Sequence, residues 1–324
     1  MFFRKILLSL TALVLIFGFS ATVHALSYTF TTIDPGDSNN EALGINNDGT
    51  VVGRYKDSSG IFHGFVYDGA SSTLDLPGYF KTQAMGINDA GKIVGMSYDK
   101  SIDGAHHSFL YDGNWSYPID PPGSNVVDSL AEDINNFDVM VGRYWDTDGF
   151  FYGYVRTGGV FNILHAPGSG NTLAEGINDA GKIAGTYGDA NGTHGFLYNG
   201  GSYSTFDILG SSETRFTDIN NADKIVGRYM DNGIYHSFIY NGTYSMIAVP
   251  GATETRVIKI NDADQIVGTY YDGSGMHAFI GTPVVPEPST IFLFGSGLIG
   301  LISFKRNLFL MREALHGSRG PQSQ

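Results

Sequence analysis

The sequence predicts an all-β protein assembled from one four-stranded unit written six times. Three observations carry that prediction. An Ile-Asn pair recurs at a nearly constant step, a short set of strand patterns follows each pair, and the piece missing from the last unit stands ahead of the first. Composition agrees: 44 Gly, 19 Tyr and 22 Phe among 324 residues, with 42% hydrophobic residues, suit short strands and tight turns around a packed core.

The Ile-Asn pairs are Ile45-Asn46, Ile87-Asn88, Ile134-Asn135, Ile177-Asn178, Ile219-Asn220 and Ile260-Asn261, with steps of 42, 47, 43, 42 and 41 residues between the asparagines. A step this regular marks a repeat architecture. Each pair is followed by Asn or Asp, then turn formers, an apolar pair and a Gly, as in GINDAGKIVG and GINDAGKIAG at residues 86–95 and 176–185. Turn formers between short β-branched runs read as a hairpin. Four positions after that Gly every copy carries an aspartate: Asp57, Asp99, Asp146, Asp189, Asp231 and Asp272.

A third strand follows as HGFVY, HSFLY, YGYVR, HGFLY, HSFIY and HAFI, whose His, Phe and Tyr share one face because side chains alternate along a strand. Five copies continue into a fourth run that ends at Pro-Gly or Gly. The sixth does not, and SYTFTTIDPG, residues 27–36, precedes the first Ile-Asn instead. Four strands and about 43 residues per unit match the roughly 40–50 residues of propeller blades. The expected fold is a six-bladed β-propeller over residues 26–282, closed by the N-terminal strand so that no sheet edge stays exposed. An open β-solenoid is the rival, and it gives no reason for the permuted ends.

These units resemble the HAF-type extracellular repeats, named for a His-Ala-Phe element such as His277-Ala278-Phe279. The third copy departs, with Tyr152 and Tyr154 where His and Phe are usual. The resemblance implies propeller blades and brings no common activity.

Both ends read as sorting segments. Residues 1–25 have the parts of a signal peptide: Arg4 and Lys5, an apolar run at 6–19, and the small-residue site Val23-His24-Ala25. Residues 283–324 join VPEPST, an apolar run at 291–304 and Lys305-Arg306. That order resembles the PEP-CTERM sorting signal of Gram-negative bacteria. The resemblance implies an exosortase, a membrane cysteine transpeptidase-like enzyme, as processing partner, with Pro286, Glu287 and Pro288 as its recognition residues. It also implies passage through the inner membrane to the cell surface or extracellular matrix, commonly in bacteria that make extracellular polysaccharide. The apolar run covers about 21 Å of a ~30 Å hydrocarbon core, and 18 residues follow Arg306, so a retained membrane anchor is the alternative.

Without these ends the chain keeps 13 basic and 30 acidic residues, about −17, which argues against nucleic acid and anionic membrane surfaces as partners. No cysteine is present, so disulfides, Cys-bound zinc and thiol nucleophiles are excluded.

In a propeller closed this way the Ile-Asn strand is innermost and the His strand third from the axis. His63, His107, His194, His236 and His277 are therefore expected to be structural, each bonded to an adjacent blade, and not metal ligands. The six aspartates are expected on one rim in Asx-type turns. A calcium or glycan-binding rim is their functional alternative, although neither DTDG at 146–149 nor DANG at 189–192 supplies the about six to eight oxygens calcium takes. The tyrosines and phenylalanines are expected to pack between sheets, with Tyr144-Trp145, Tyr229 and Tyr270-Tyr271, which flank these loops, as stacking surfaces for sugars in the alternative reading. No nucleophile elbow, His-Glu-x-x-His or phosphate loop occurs, and no carboxylate pair stands out for glycoside chemistry. The expected function is thus non-enzymatic: an exported surface or matrix protein with a structural or interaction role in an exopolysaccharide layer, with no cofactor. A glycan-binding module and a polysaccharide-degrading enzyme are the alternatives.

Overall fold

The computed structural model describes residues 27–98, 105–123 and 126–284. The expected signal peptide at 1–25, Asp99, and the recognition residues Pro286, Glu287 and Pro288 lie outside the described residues.

The described residues form β-strands and no helix. After β1 (Tyr28–Ile33), unit one comprises β2 (Ser38–Ile45), β3 (Val51–Lys56), β4 (Phe62–Tyr67) and β5 (Ser71–Leu74). Unit two comprises β6 (Lys81–Ile87), β7 (Ile93–Tyr98), β8 (His106–Tyr111) and β9 (Trp115–Ser116). Unit three follows with β10 (Val126–Ile134), β11 (Met140–Asp146), β12 (Phe151–Thr157) and β13 (Val160–Leu164). Unit four holds β14 (Asn171–Ile177), β15 (Ile183–Asp189), β16 (Gly192–Asn199) and β17 (Ser202–Phe206). Unit five holds β18 (Glu213–Ile219), β19 (Ile225–Asp231), β20 (Ile234–Tyr240) and β21 (Tyr244–Ile247). Unit six has β22 (Glu254–Ile260), β23 (Ile266–Asp272) and β24 (Gly275–Pro283).

Each unit is an antiparallel meander in chain order, and units four and five also share one parallel bridge, Thr193↔Glu213. In unit six the fourth place belongs to β1, which pairs with β24 from Tyr28↔Pro283 to Ile33↔Ala278. The first strand of the chain thus completes the sheet that the last strand leaves open.

One local device recurs in all six units. The first strand of each carries a bulge, with register shifts at Ala42/Gly44, Ala84/Gly86, Ala131/Asp133, Ala174/Gly176, Phe216/Asp218 and Val257/Lys259. Beside the bulge a backbone carbonyl crowds the Gly of the second strand: a Cβ on Gly95 would sit 2.0 Å from the Gln83 oxygen. Across from that Gly the third strand places an aromatic ring, as in Gly53↔Phe65, Gly95↔Phe109, Gly142↔Tyr154 and Gly227↔Phe238. The ring covers the space a side chain would fill. All of these rings are fully buried.

Six apolar clusters lie between consecutive units. Val52 of unit one packs with Ala84 and Phe109 of unit two. The sixth cluster joins Ile33, Val267 and Ala278 of unit six to Ala42, Val51 and Phe65 of unit one. Burying such a side chain stabilises the fold by roughly 1.5–3 kcal/mol.

Candidate functional site

The turns after the first strands meet at one mouth lined by all six units. Each Ile-Asn asparagine is buried there and works twice. Its Oδ1 accepts an N–H of its own turn, from Thr50 at 2.9 Å for Asn46 and from Lys92 at 3.0 Å for Asn88. Its Nδ2 donates to the backbone carbonyl of the next asparagine. The chain of donors runs Asn46 to Asn88 (3.3 Å), to Asn135 (3.1 Å), to Asn178 (3.1 Å), to Asn220 (3.2 Å), to Asn261 (3.0 Å) and back to Asn46 (3.0 Å).

The next residue in each turn builds a second ring above the first. It alternates without exception: Asn47, Asp89, Asn136, Asp179, Asn221, Asp262. Every one of these backbone N–H groups donates to the neighbour's Oδ1 at 2.8–2.9 Å. Each Asn Nδ2 has two N–H bonds and gives one to each flanking carboxylate, at 2.8–3.0 Å. Each aspartate Oδ2 therefore accepts twice. Strict alternation of donors and acceptors closes only on an even number of members, and these charge-assisted bonds occupy three of about four acceptor sites on each carboxylate.

Beneath the mouth lies a buried ionic cluster. Lys259 donates to the Glu175 carbonyl at 2.7 Å and pairs with Asp133 at 3.0 Å and Asp218 at 3.6 Å. These acids come from the bulges of units three and five, and glycines make room for them. A Cβ on Gly176 would lie 2.2 Å from Asp218 Oδ1, and one on Gly86 2.9 Å from Asp133 Oδ1. Burial pushes the Asp218 carboxyl up to about 7 against the opposing pull of Lys259. For Lys259 the order reverses: burial acts downward, but the two carboxylates prevail and raise it. Glu132, also raised by burial, pairs with Arg143 at 2.8 Å.

Among the described residues the rim aspartates stand apart, each at the end of its unit's second strand or just beyond it. Asp57 accepts from the N–H groups of Ser59 (2.9 Å) and Ile61 (2.8 Å), Asp189 from Asn191 (2.7 Å), Asp272 from Ser274 (2.7 Å), and Asp146 from Asp148 (3.0 Å). Asp231 meets the side chain of Asn232 at 2.9 Å. Among the described residues no group of three or more His, Asp or Glu side chains is placed to hold a metal ion.

Among the described residues, His63, His194 and His277 each bridge two carboxylates. His63 lies between Asp75 (2.7 Å) and Asp57 (3.2 Å), His194 between Asp207 (2.9 Å) and Asp189 (3.1 Å), and His277 between Asp34 (2.7 Å) and Asp272 (3.3 Å). His107 meets Asp120 at 2.6 Å. The sequence placed these imidazoles against adjacent blades. They bond instead within their own unit, because the aspartate ending the fourth strand sits beside the third. His236 has Ala248 where that aspartate would be and stacks on Tyr229, ring centroids 5.3 Å apart. In unit three Tyr152 replaces the histidine and lies against His165, itself in the aspartate's place. Burial lowers His63 and His194, but hydrogen bonds to their aspartates outweigh it and raise both; for His277 the bond to Asp34 leads the rise. Backbone N–H donors hold Asp57 and Asp189, and the Ser274 hydroxyl holds Asp272, below the ordinary carboxylate range.

The tyrosines flanking these loops are stacked on protein rings: Tyr270 on His277 (5.1 Å) and Tyr144 on Tyr152 (5.4 Å). Trp145 stacks on Phe151 at 5.8 Å and is 41% exposed. The sequence reading missed both the alternating ring and Lys259. The letters of the first were visible as turn formers, and the second stood where other units have Gly or Asp.

Residues 284–307 match the PEP-CTERM protein-sorting motif. This motif indicates export across the membrane to the cell surface of a Gram-negative bacterium, processing by an exosortase-type system and a C-terminal anchor. Among the described residues no helix is long and apolar enough to cross a membrane. No curated protein matches the chain. Solved structures similar to it include the β-propeller domain of the trilobed protease from Pyrococcus furiosus, with 10% identity, TM-score 0.43, and 80% of this chain and 93% of that one covered. Another is an Aleuria aurantia lectin mutant in complex with Fucα1-6GlcNAc, at 13% identity and TM-score 0.49, covering 77% and 97%. Virginiamycin B lyase from Staphylococcus aureus gives 10% identity and TM-score 0.45 over 80% and 100%.

Proposed function

We propose that the six units are the blades of a closed six-bladed β-propeller, exported and processed at its tail, that serves as a structural or interaction protein in an exopolysaccharide layer. The PEP-CTERM motif supports the destination. The closed form is supported by the β1–β24 pairing and by the asparagine cycle returning from Asn261 to Asn46. One observation favours scaffold over catalyst: the repeated Asp, Asn and His side chains are spent on bonds that hold the turns and rings in place. The reading needs no cofactor and no turnover. A glycan-binding module is the second reading, favoured by an arginine and tyrosine cluster described below, and a polysaccharide-degrading enzyme is the less favoured alternative.

Two measurements test it. Mass spectrometry of the exported protein should show a chain cut near Pro286, and Glu287→Ala should leave it uncut in the membrane fraction. Extracellular polysaccharide from the producing strain should retain the protein without being shortened; depolymerisation lost on removing one carboxylate would replace the scaffold by an enzyme.

A further inference from the structure

Along the first strands, away from the asparagine ring, units five and six bring three guanidinium groups together. Arg215 of β18 and Arg228 of β19 are direct cross-strand partners, a placement that like charges disfavour. Arg256 holds in β22 the place that Arg215 holds in β18. Arg215 pairs with Glu213 at 3.1 Å and Arg256 with Glu254 at 2.7 Å. Arg228 forms no ion pair among the described residues, and its Nε is buried without a hydrogen-bond partner. Its guanidinium lies 5.1 Å over the ring of Tyr235, whose hydroxyl donates to Glu213 at 2.9 Å. Arg256 lies 5.0 Å over Tyr271.

Where other units carry an arginine at this strand position it is paired with an acid, so the gap belongs to unit five. In unit one the same strand position is Arg54, and the residue facing it is Glu41, which it pairs at 2.7 Å. In unit three it is Arg143, paired with Glu132. Unit five keeps the arginine and replaces the facing acid with Arg215, so the charge that elsewhere is neutralised is left open. Burial and the Arg215 charge lower the Arg228 pKa; Glu175, 3.8 Å from Arg143, offsets part of this and Arg256 adds to it. A half-buried cation without an ion pair is costly to fold around, and such cost persists where it serves a ligand. The flanking arginines stay within reach of solvent, with side chains 29% and 35% exposed. A guanidinium fork matches a planar or tetrahedral oxyanion, and the tyrosine rings offer faces to a sugar.

We propose that Arg228, flanked by Arg215 and Arg256, is the receptor for an oxyanion group carried on an extracellular polymer, a uronate carboxylate or a sulfate ester. The polymer half of this inference rests on the polysaccharide reading above; the anion half stands on the cluster alone.

Titration of the full chain with polygalacturonate, dextran sulfate, neutral dextran and inorganic sulfate tests both halves. An anionic polymer should bind, neutral dextran should not, and Arg228→Gln should weaken binding about tenfold or more. The same variant should melt at the same temperature or higher, since it removes a charge without a partner; a merely structural arginine would lower it. Equal binding by Arg228→Gln and the parent chain, or binding of no anion, overturns the site. Inorganic sulfate bound in an Arg228-dependent way, with no polymer bound, keeps the anion site and rejects the polysaccharide reading.

Discussion

Asn261 donates its side-chain amide to the backbone carbonyl of Asn46, 215 residues earlier in the chain, at 3.0 Å. The bond is the same one that Asn88 makes to Asn135 across 47 residues, at 3.1 Å. The last link in the cycle and an interior link are therefore chemically equivalent.

Removing either link should destabilise the protein alike. Asn261→Ala and Asn88→Ala each leave a buried carbonyl and a turn N–H without their partner, at about 1–3 kcal/mol. Urea unfolding of both variants checks this, and a much smaller loss at Asn261 would mean that the ring is open there.

Gly95→Ala probes the bulge. Its Cβ would meet the Gln83 carbonyl at 2.0 Å and Phe109 at 2.9 Å, so the ladder or the ring must shift. Overpacking of this kind costs roughly 1–3 kcal/mol. Thermal denaturation should show the fall, whereas Phe109→Leu loses the ring that covers the Gly and should fall for the opposite reason.

Lys259→Met leaves Asp133 and Asp218 facing each other in a buried site. Breaking a buried pair in this way costs about 3–5 kcal/mol. Adding Asp218→Asn should recover part of that loss. Failure of the second substitution to help would show that Lys259 acts through packing alone.

The bridging histidines predict an alkaline limb in the stability profile. His63, His194 and His277 are raised in the folded protein, so their contribution is complete below about pH 6.5 and fades as pH rises through the raised values. Asp57, Asp189 and Asp272 are lowered, so theirs is present above about pH 4 and fades as pH falls further. Melting curves from pH 3 to 9, about the span these groups titrate over, should lose part of the alkaline decline in His194→Phe. An unchanged curve would make the His194 bridges ornamental.

The six-unit pattern was readable because it is local and periodic. The Gly that borders the bulge and the aromatic opposite it recur in every unit, 11 to 14 residues apart, and each is demanded by contacts inside one meander. Asp57, Asp146, Asp189 and Asp272 accept turn N–H groups for the same local reason, whereas Asp231 meets only the Asn232 side chain. The histidines were only half legible: their type repeats, but their partners Asp75, Asp207 and Asp34 end a fourth strand that lies at different distances along the chain. For His277 that strand is β1, 243 residues away.

By itself, then, the sequence determined the repeat, the strand order within a unit and the permuted ends, which follow from spacing and composition, and the sorting tail, which follows from its resemblance to a known signal. Tertiary structure alone decided that Asn47, Asp89, Asn136, Asp179, Asn221 and Asp262 form one hydrogen-bonded ring, that Lys259 neutralises acids from two other units, and that Arg228 forms no ion pair among the described residues. Those outcomes depend on which groups meet across unit boundaries and how much water is excluded there, and neither distance nor desolvation is written in the order of residues.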